Sequence, residues 1–349
     1  MVGRKEKISC LKIINMFKIL LQVGDKNDAT SFYLDIIKEA IELSPNDVAY
    51  ITSLNDISKG DDVIGITPKA YWGIRKLKKA NLIIHWFQGV TPEEVDFYEI
   101  PWLKRKLSQI RYSILERMIL KYSDFNFFVS NTMLLHYRKK YGYSKNNYYI
   151  MPCFNQPLLE KAFYDEKYSR PSFVYTGNLA KWQCFEPMVA LFKQIKDNLP
   201  EATLTIYTKE TDKAQVILNK YGVKADIKYV PYQQLSEEIK QYKYGFILRE
   251  DNVVNNVATP TKMNSYLASG IIPIYTDVVG AYKEHLSGLK YAVPVDTNNK
   301  GIERIYELEK QSIQSIDVLN EYKLVFDSYY NREQYVAEIA EVISKMKSR

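Results

Sequence analysis

The sequence predicts an α/β protein made of two parallel-sheet domains. Short apolar runs of strand length alternate with helical segments along most of the chain. Most of the runs are continuously hydrophobic rather than alternating, as in strands covered by helices on both faces. The rhythm lapses around 152–171 and restarts at Phe173, which divides the 349 residues into two units of ordinary domain size.

The first unit opens with a strand over 17–23, a helix over 31–43 and strands over 47–51 and 62–66. A helix follows Pro68, then a strand over 82–87 and a basic helix over 102–121. A strand over 125–129, a helix over 131–141 capped by Ser130, and a strand over 148–151 complete it. The second unit places strands at Phe173, 202–207, 226–230, 244–248, 271–275 and 291–293, with helices between them and a helical end from Asn320. The resulting division is 1–155, a hinge over 156–170, a second domain over 171–325 and a terminal helix over 326–349.

The segment GFILREDNVVNNVATPTKMNSYLASGIIPIYT, from Gly245, carries the most chemistry. It reads as a buried strand, a polar loop, a helix, a glycine turn and a second buried strand. Thr259 suits the N-cap and Pro260 the first helical position. Arg249 follows the first strand directly, and Lys262 lies in the first helical turn, where a cation opposes the helix dipole. Both make sense around a bound anion. Lys262 pointing into water, and an Arg249 salt bridge to Glu250 or Asp251, are the alternatives.

Composition narrows the function. Apolar residues make up 46% and charged residues 26%, and no apolar run reaches transmembrane length. The start, MVGRKEKISCLKIINMFKILLQVG, puts basic residues before apolar ones, but Lys12, Asn15 and Lys18 interrupt the apolar part and no small-residue cleavage site follows. It reads as a leader feeding a buried strand. Cys10, Cys153 and Cys184 match neither a disulfide framework nor a zinc spacing, so a cytoplasmic setting is the simplest expectation. The net charge of +7 would attract phosphorylated ligands or anionic lipid. No aromatic-basic motif accompanies it, so nucleic acid is not an expected partner. The helix from Trp102 interleaves Lys104, Arg105, Lys106, Arg111, Arg117 and Lys121 with apolar residues at helical spacing. It reads either as a surface helix with a solvated basic face or as a helix resting on an anionic membrane surface.

Four segments carry a family resemblance: the run from Gly245, SFVYTGNLAKWQCFEPMVALFKQI from Ser172, IIHWFQGVTPEE from Ile83, and DFNFFVSNTMLLHYRKKYG with YYIMPCFN. In that order they resemble GT-B glycosyltransferases, near family 4 and its bacterial capsule, O-antigen and exopolysaccharide members. The resemblance spans about Phe17 to Val295. It implies two Rossmann-like domains facing a cleft, the first on the acceptor side and the second binding a nucleotide-sugar donor. It implies transfer to a saccharide or lipid-linked acceptor, retaining and metal-independent, in surface polysaccharide assembly. The nucleotide sugar is a substrate, and no cofactor or metal is expected. The protein would then be cytoplasmic, with a peripheral position on the inner face of the plasma membrane as an extension.

The donor-binding candidates are Gly177, Lys181, Arg249, Asp251, Asn255, Thr261 and Lys262. The catalytic candidates are His85, Gln88, Gly89 and Glu93, with Glu94 as the neighbouring choice. Each also has a plain structural reading: a strand-helix turn for Gly177, turn chemistry for Asn255, a satisfied core residue for His85, and a helix start for the glutamates. Family 4 members usually carry two glutamates, eight positions apart, before the small-Gly-apolar run. Here Val257 and Ser265 occupy those positions, and Glu250 or Asp251 would have to serve the donor sugar. A catalytically degenerate subunit and a sugar-nucleotide epimerase of the same architecture are the rival readings.

Overall fold

The computed structural model describes residues 16–22, 24–26, 30–296 and 300–348. Residues 1–15 of the leader, with Cys10, and Val23 lie outside the described residues.

Two six-stranded parallel sheets form the frame. The first contains β1 (Phe17–Leu20), β2 (Val48–Ile51), β3 (Asp62–Gly65), β4 (Ile83–Phe87), β5 (Phe125–Phe128) and β6 (Tyr148–Ile150), in the order β2-β1-β3-β4-β5-β6. Its helices are α1 (Ser31–Leu43), α2 (Pro68–Leu77), the single turn α3 (Thr91–Glu94), α4 (Trp102–Tyr122) and α5 (Asn131–Tyr141). The second sheet contains β7 (Ser172–Thr176), β8 (Thr203–Tyr207), β9 (Asp226–Lys228), β10 (Tyr244–Ile247), β11 (Ile272–Thr276) and β12 (Val293–Val295), in the order β12-β11-β10-β7-β8-β9. Around it lie α6 (Phe185–Asn198), α7 (Thr211–Tyr221), α8 (Tyr232–Ile239), α9 (Val253–Val257), α10 (Thr261–Ala268), α11 (Gly280–His285) and α12 (Glu303–Glu309). The chain ends in α13 (Ser315–Ser328) and α14 (Arg332–Lys347).

The central strands are the continuously apolar ones. β10 and β11 are buried throughout, because helices cover both faces of the sheet. In the first sheet Trp86 stacks on Tyr33 at 3.9 Å between ring centres, which fixes α1 over β4. Helix ends follow local chemistry. The Ser130 hydroxyl accepts from Met133 N at 3.0 Å, and Gly142 ends α5 at φ +68°.

The start of α10 differs from the sequence expectation. Pro260 is the N-cap, and the hydroxyl of Thr259 caps nothing. It accepts instead from the backbone N–H of Cys153, at 2.9 Å, and so joins the end of the first half to the loop before α10. The polar loop before it also contains the short helix α9, which Asn252 caps by accepting from Asn255 N.

Between β6 and β7 the chain runs along α10 without forming a strand. Asn264 Oδ1 accepts from the N–H groups of Asn155 and Gln156, both at 3.0 Å, and Ala268 O accepts from Leu159 N. The two halves also touch directly. Ser130 Oγ donates to Val257 O at 2.6 Å, and Phe97 packs edge-on against Trp182 at 5.8 Å. Trp182 is thus a packing residue across the gap. α14 returns to the first sheet, where Arg332 pairs with Glu39 and Lys347 with Asp62.

Candidate active site

Residues from the carboxyl ends of both sheets line one cavity of about 260 Å³: Trp86 and Gln88 from the first half, and Gln183, Arg249, Thr261 and Lys262 from the second. Arg249 is 5% exposed. Its Nη1 donates to Leu248 O at 2.9 Å, and among the described residues no carboxylate pairs with it, so Glu250 and Asp251 do not form the salt bridge open to it in the sequence. Lys262 Nζ donates to Gln183 Oε1 at 2.8 Å and sits 4.4 Å from the centre of the Tyr175 ring. It too has no carboxylate partner among the described residues. Two basic side chains therefore share a partly buried cavity at the N-terminus of α10 with no paired carboxylate among the described residues, an arrangement in which their positive charge costs free energy until an anion enters.

Burial, and then the Arg249 guanidinium, hold the Lys262 pKa well below the usual lysine range. A bound diphosphate would favour the charged form and raise it. Donor binding is therefore expected to take up a proton at pH values between the free and liganded pKa. Affinity should fall as pH rises through that window. Calorimetry in buffers of different ionisation enthalpy measures this; a proton count of zero across the pH range would place Lys262 outside the site.

Gly177 follows β7 with φ +128°, and a Cβ there would lie 3.1 Å from Lys262 Nζ. The backbone must pass close to the lysine, and only glycine allows it. Gly177 also borders a second hollow, of about 350 Å³, lined by Asn178, Tyr207, Thr208, Tyr229 and Tyr232 among others. A third, of about 460 Å³, lies in the first half and is lined by Lys69, His85, Gln88, Gly89, Glu94 and Tyr112 among others. Trp86 and Gln88 border both this hollow and the cation cavity. A larger hollow, about 1310 Å³, lies at the amino ends of the second sheet, near Ser172 and Thr203. Ligands of open α/β sheets collect at the carboxyl ends, so position outweighs size here.

Other candidates are placed differently. Lys181 is exposed and does not line the cation cavity; Gln183 from the same turn reaches Lys262. Asp251 is exposed and accepts from Asn256 Nδ2, while buried Asn255 donates to Glu250 O. Both serve the turn into α9. Val257 is buried, and Ser265 Oγ donates to Asn155 Oδ1 at 3.0 Å, so both positions are tied to the seam between the halves.

His85 is 1% exposed, and burial depresses its pKa to about 3, so the ring is neutral. Its Nδ1 has no partner among the described residues. Glu93 turns away from the hollow: Lys140 Nζ donates to it at 2.7 Å and His136 Nε2 lies 3.2 Å away. Glu94 lines the hollow instead. A Cβ on Gly89 would come within 1.9 Å of Glu94 Oε1, so the carboxylate rests directly against the glycine. Burial raises the Glu94 pKa.

The loop after β4 is held from behind. Buried Glu116 of α4 accepts from Thr91 N at 3.1 Å, Tyr137 OH at 3.2 Å and Tyr141 OH at 2.8 Å, while Tyr137 OH also reaches Gly89 O at 3.1 Å. Burial raises the Glu116 pKa from 4.5 to about 7. The folded state then binds more protons than the unfolded one, so this contribution is full below the unfolded pKa and is lost as pH rises through about 7. Melting curves of Glu116→Gln should lack that loss, on the order of 1–3 kcal/mol in the parent. Equal slopes in parent and variant would rule it out.

Comparison with known proteins rests on structure alone. No protein-family profile matches the chain, and no curated protein matches it in sequence. Solved structures do match over nearly the whole length. A sucrose-phosphate synthase from Thermosynechococcus elongatus has a TM-score of 0.70 at 12% identity, covering 96% of this chain and 99% of that one. The Anabaena HepE protein in complex with UDP-glucose has a TM-score of 0.67 at 11% identity, covering 95% and 99%. A glycosyltransferase from Rickettsia africae has a TM-score of 0.66 at 9% identity, covering 96% and 99%. The fold is GT-B. Within it, the cation cavity lies between the two sheets at their carboxyl ends, and the hollow holding His85 belongs to the N-terminal sheet.

Proposed function

We propose that the protein is a glycosyltransferase that moves a sugar from a nucleotide-sugar donor to a saccharide acceptor. The observation that carries this reading is the pair of basic side chains, Arg249 and Lys262, at the start of α10 with no paired carboxylate among the described residues. The donor diphosphate would lie between them and pass Gly177, and the nucleoside would enter the hollow lined by Tyr229 and Tyr232. As the glycosidic bond breaks, negative charge collects on the leaving phosphate. The two side chains and the helix N-terminus stabilise that charge in place before the reaction. Because they supply it, transfer is proposed to proceed without a metal.

The sugar would project toward Trp86 and Gln88, where the cation cavity meets the hollow of His85 and Glu94. Neutral His85 and Gln88 offer hydrogen bonds to hydroxyl groups. Glu94 is the carboxyl group in that hollow, and its raised pKa suits proton transfer with the acceptor. Retention of configuration and a lipid-linked acceptor in surface polysaccharide assembly complete the proposal. The similarity of fold to the UDP-glucose-bound Anabaena protein supports a nucleotide-sugar donor.

The test is a donor panel with a simple saccharide acceptor, assayed for nucleoside diphosphate release in the presence of EDTA. Release that requires the acceptor supports transfer. Binding without release supports the degenerate-subunit reading. Conversion of the donor sugar without any acceptor supports the epimerase.

A further inference from the structure

Four apolar side chains of α4 point away from the protein. Leu103, Leu107, Ile110 and Ile114 are 56–62% exposed. Their spacing of four, three and four residues aligns them in one stripe along the helix. Trp102, at the first position, is 68% exposed, and Tyr98 just before the helix is 49% exposed. The buried side consists of Glu116, Ile119 and Leu120.

The charges follow the stripe. Lys104 and Arg111 lie on one flank and Lys106 on the other, with Arg117 and Lys121 toward the end. None of these five forms an ion pair among the described residues; Lys106 reaches only Gln109, and Lys121 only the Tyr122 ring. The single acidic residue of α4 is Glu116, which is fully buried. The outer face is therefore aliphatic along its centre, cationic at its edges and free of acid. We propose that this face lies in the interface of an anionic lipid bilayer, with the aliphatic stripe among the acyl chains and the cations at the headgroups.

Charge decides between occupants. A second copy of the chain packed on this stripe about a two-fold axis would bring two sets of unpaired cations together, which repel. An anionic headgroup layer pairs with all of them. The inner side of the same helix gives Tyr112 to the hollow that holds His85 and Gln88. A docked helix would thus hold that hollow close to the membrane surface. This last step rests on the acceptor reading above; the docking itself does not.

The experiment is co-sedimentation of the full chain with vesicles of phosphatidylcholine alone or with 30% phosphatidylglycerol, at low and high salt. Binding is expected only to the anionic vesicles and should weaken with salt. Each neutralised cation should lower the partition coefficient by about fivefold. The double change Lys104→Gln and Arg111→Gln, and the separate change Ile110→Asn, should each reduce binding while leaving the melting temperature and turnover of a water-soluble acceptor unchanged. Equal binding to both vesicle types, no binding, or a parent dimer that Ile110→Asn dissociates would each overturn the proposal. Turnover is read separately, so loss of docking and loss of the transferase reading are distinguishable outcomes.

Discussion

Arg249→Ala should lower donor affinity about 10- to 150-fold without weakening the fold. Charge-assisted hydrogen bonds contribute about 1.5–3 kcal/mol, which corresponds to that range. The second half of the expectation is the more discriminating. In the empty protein the guanidinium is buried, bonded to its neighbour's carbonyl and beside a lysine whose charged form it disfavours. Removing a buried charge that lacks a counterion relieves a desolvation cost. The melting temperature of the empty variant should therefore equal or exceed that of the parent, while stabilisation by donor should shrink. Arg249→Lys should restore part of the affinity, because a point charge replaces the planar fork. A variant that melts several degrees lower and binds donor as well as the parent would mean that Arg249 is structural.

Gly177→Ala should be costly in a different way. The residue sits at φ +128°, where an L side chain is strained, at roughly 1–3 kcal/mol. Its new methyl group would also press on Lys262, at 3.1 Å from Nζ and 3.2 Å from Cε. The flexible end of the lysine must then give by a few tenths of an ångström where it meets Gln183 and Tyr175. Stability should fall by about the strain term, and donor affinity should fall as well, since the methyl group narrows the close approach of the β7 loop to the lysine. Gly222→Ala is the matched control. It has φ +63° and nothing within 4 Å of an added Cβ, so it should lose stability alone. Equal donor binding by Gly177→Ala and the parent would separate the β7 loop from the site.

The frame was legible because parallel strands covered on both faces are written as unbroken apolar runs, as in β10 and β11. Arg249, Thr261 and Lys262 were legible as oddities of position, an arginine closing an apolar strand and a lysine against a helix dipole, and they do line one cavity. What the sequence could not show is which way neighbouring side chains turn. Glu93 and Glu94 share a single helical turn too short to have a periodic pattern, yet one meets Lys140 and the other the hollow. Lys181 and Gln183 divide in the same way, and the charged residue was the natural choice. The cap of α10 was misplaced because the hydroxyl of Thr259 is taken by a residue more than a hundred positions earlier. In α4, where Ile119 and Leu120 are buried on the inner side, periodicity placed Leu103, Leu107, Ile110 and Ile114 together on one face. It carries no information on whether that face meets the sheet, and here it meets solvent.

The most direct measurement is a calorimetric titration of the protein with a nucleoside and with the corresponding nucleoside diphosphate, both in EDTA. The cavity between Arg249 and Lys262 predicts that the diphosphate binds at least about tenfold more tightly, with proton uptake, and that Arg249→Ala removes most of the difference. Equal affinity for the two compounds, or a difference that survives in Arg249→Ala, would contradict a diphosphate site at the start of α10.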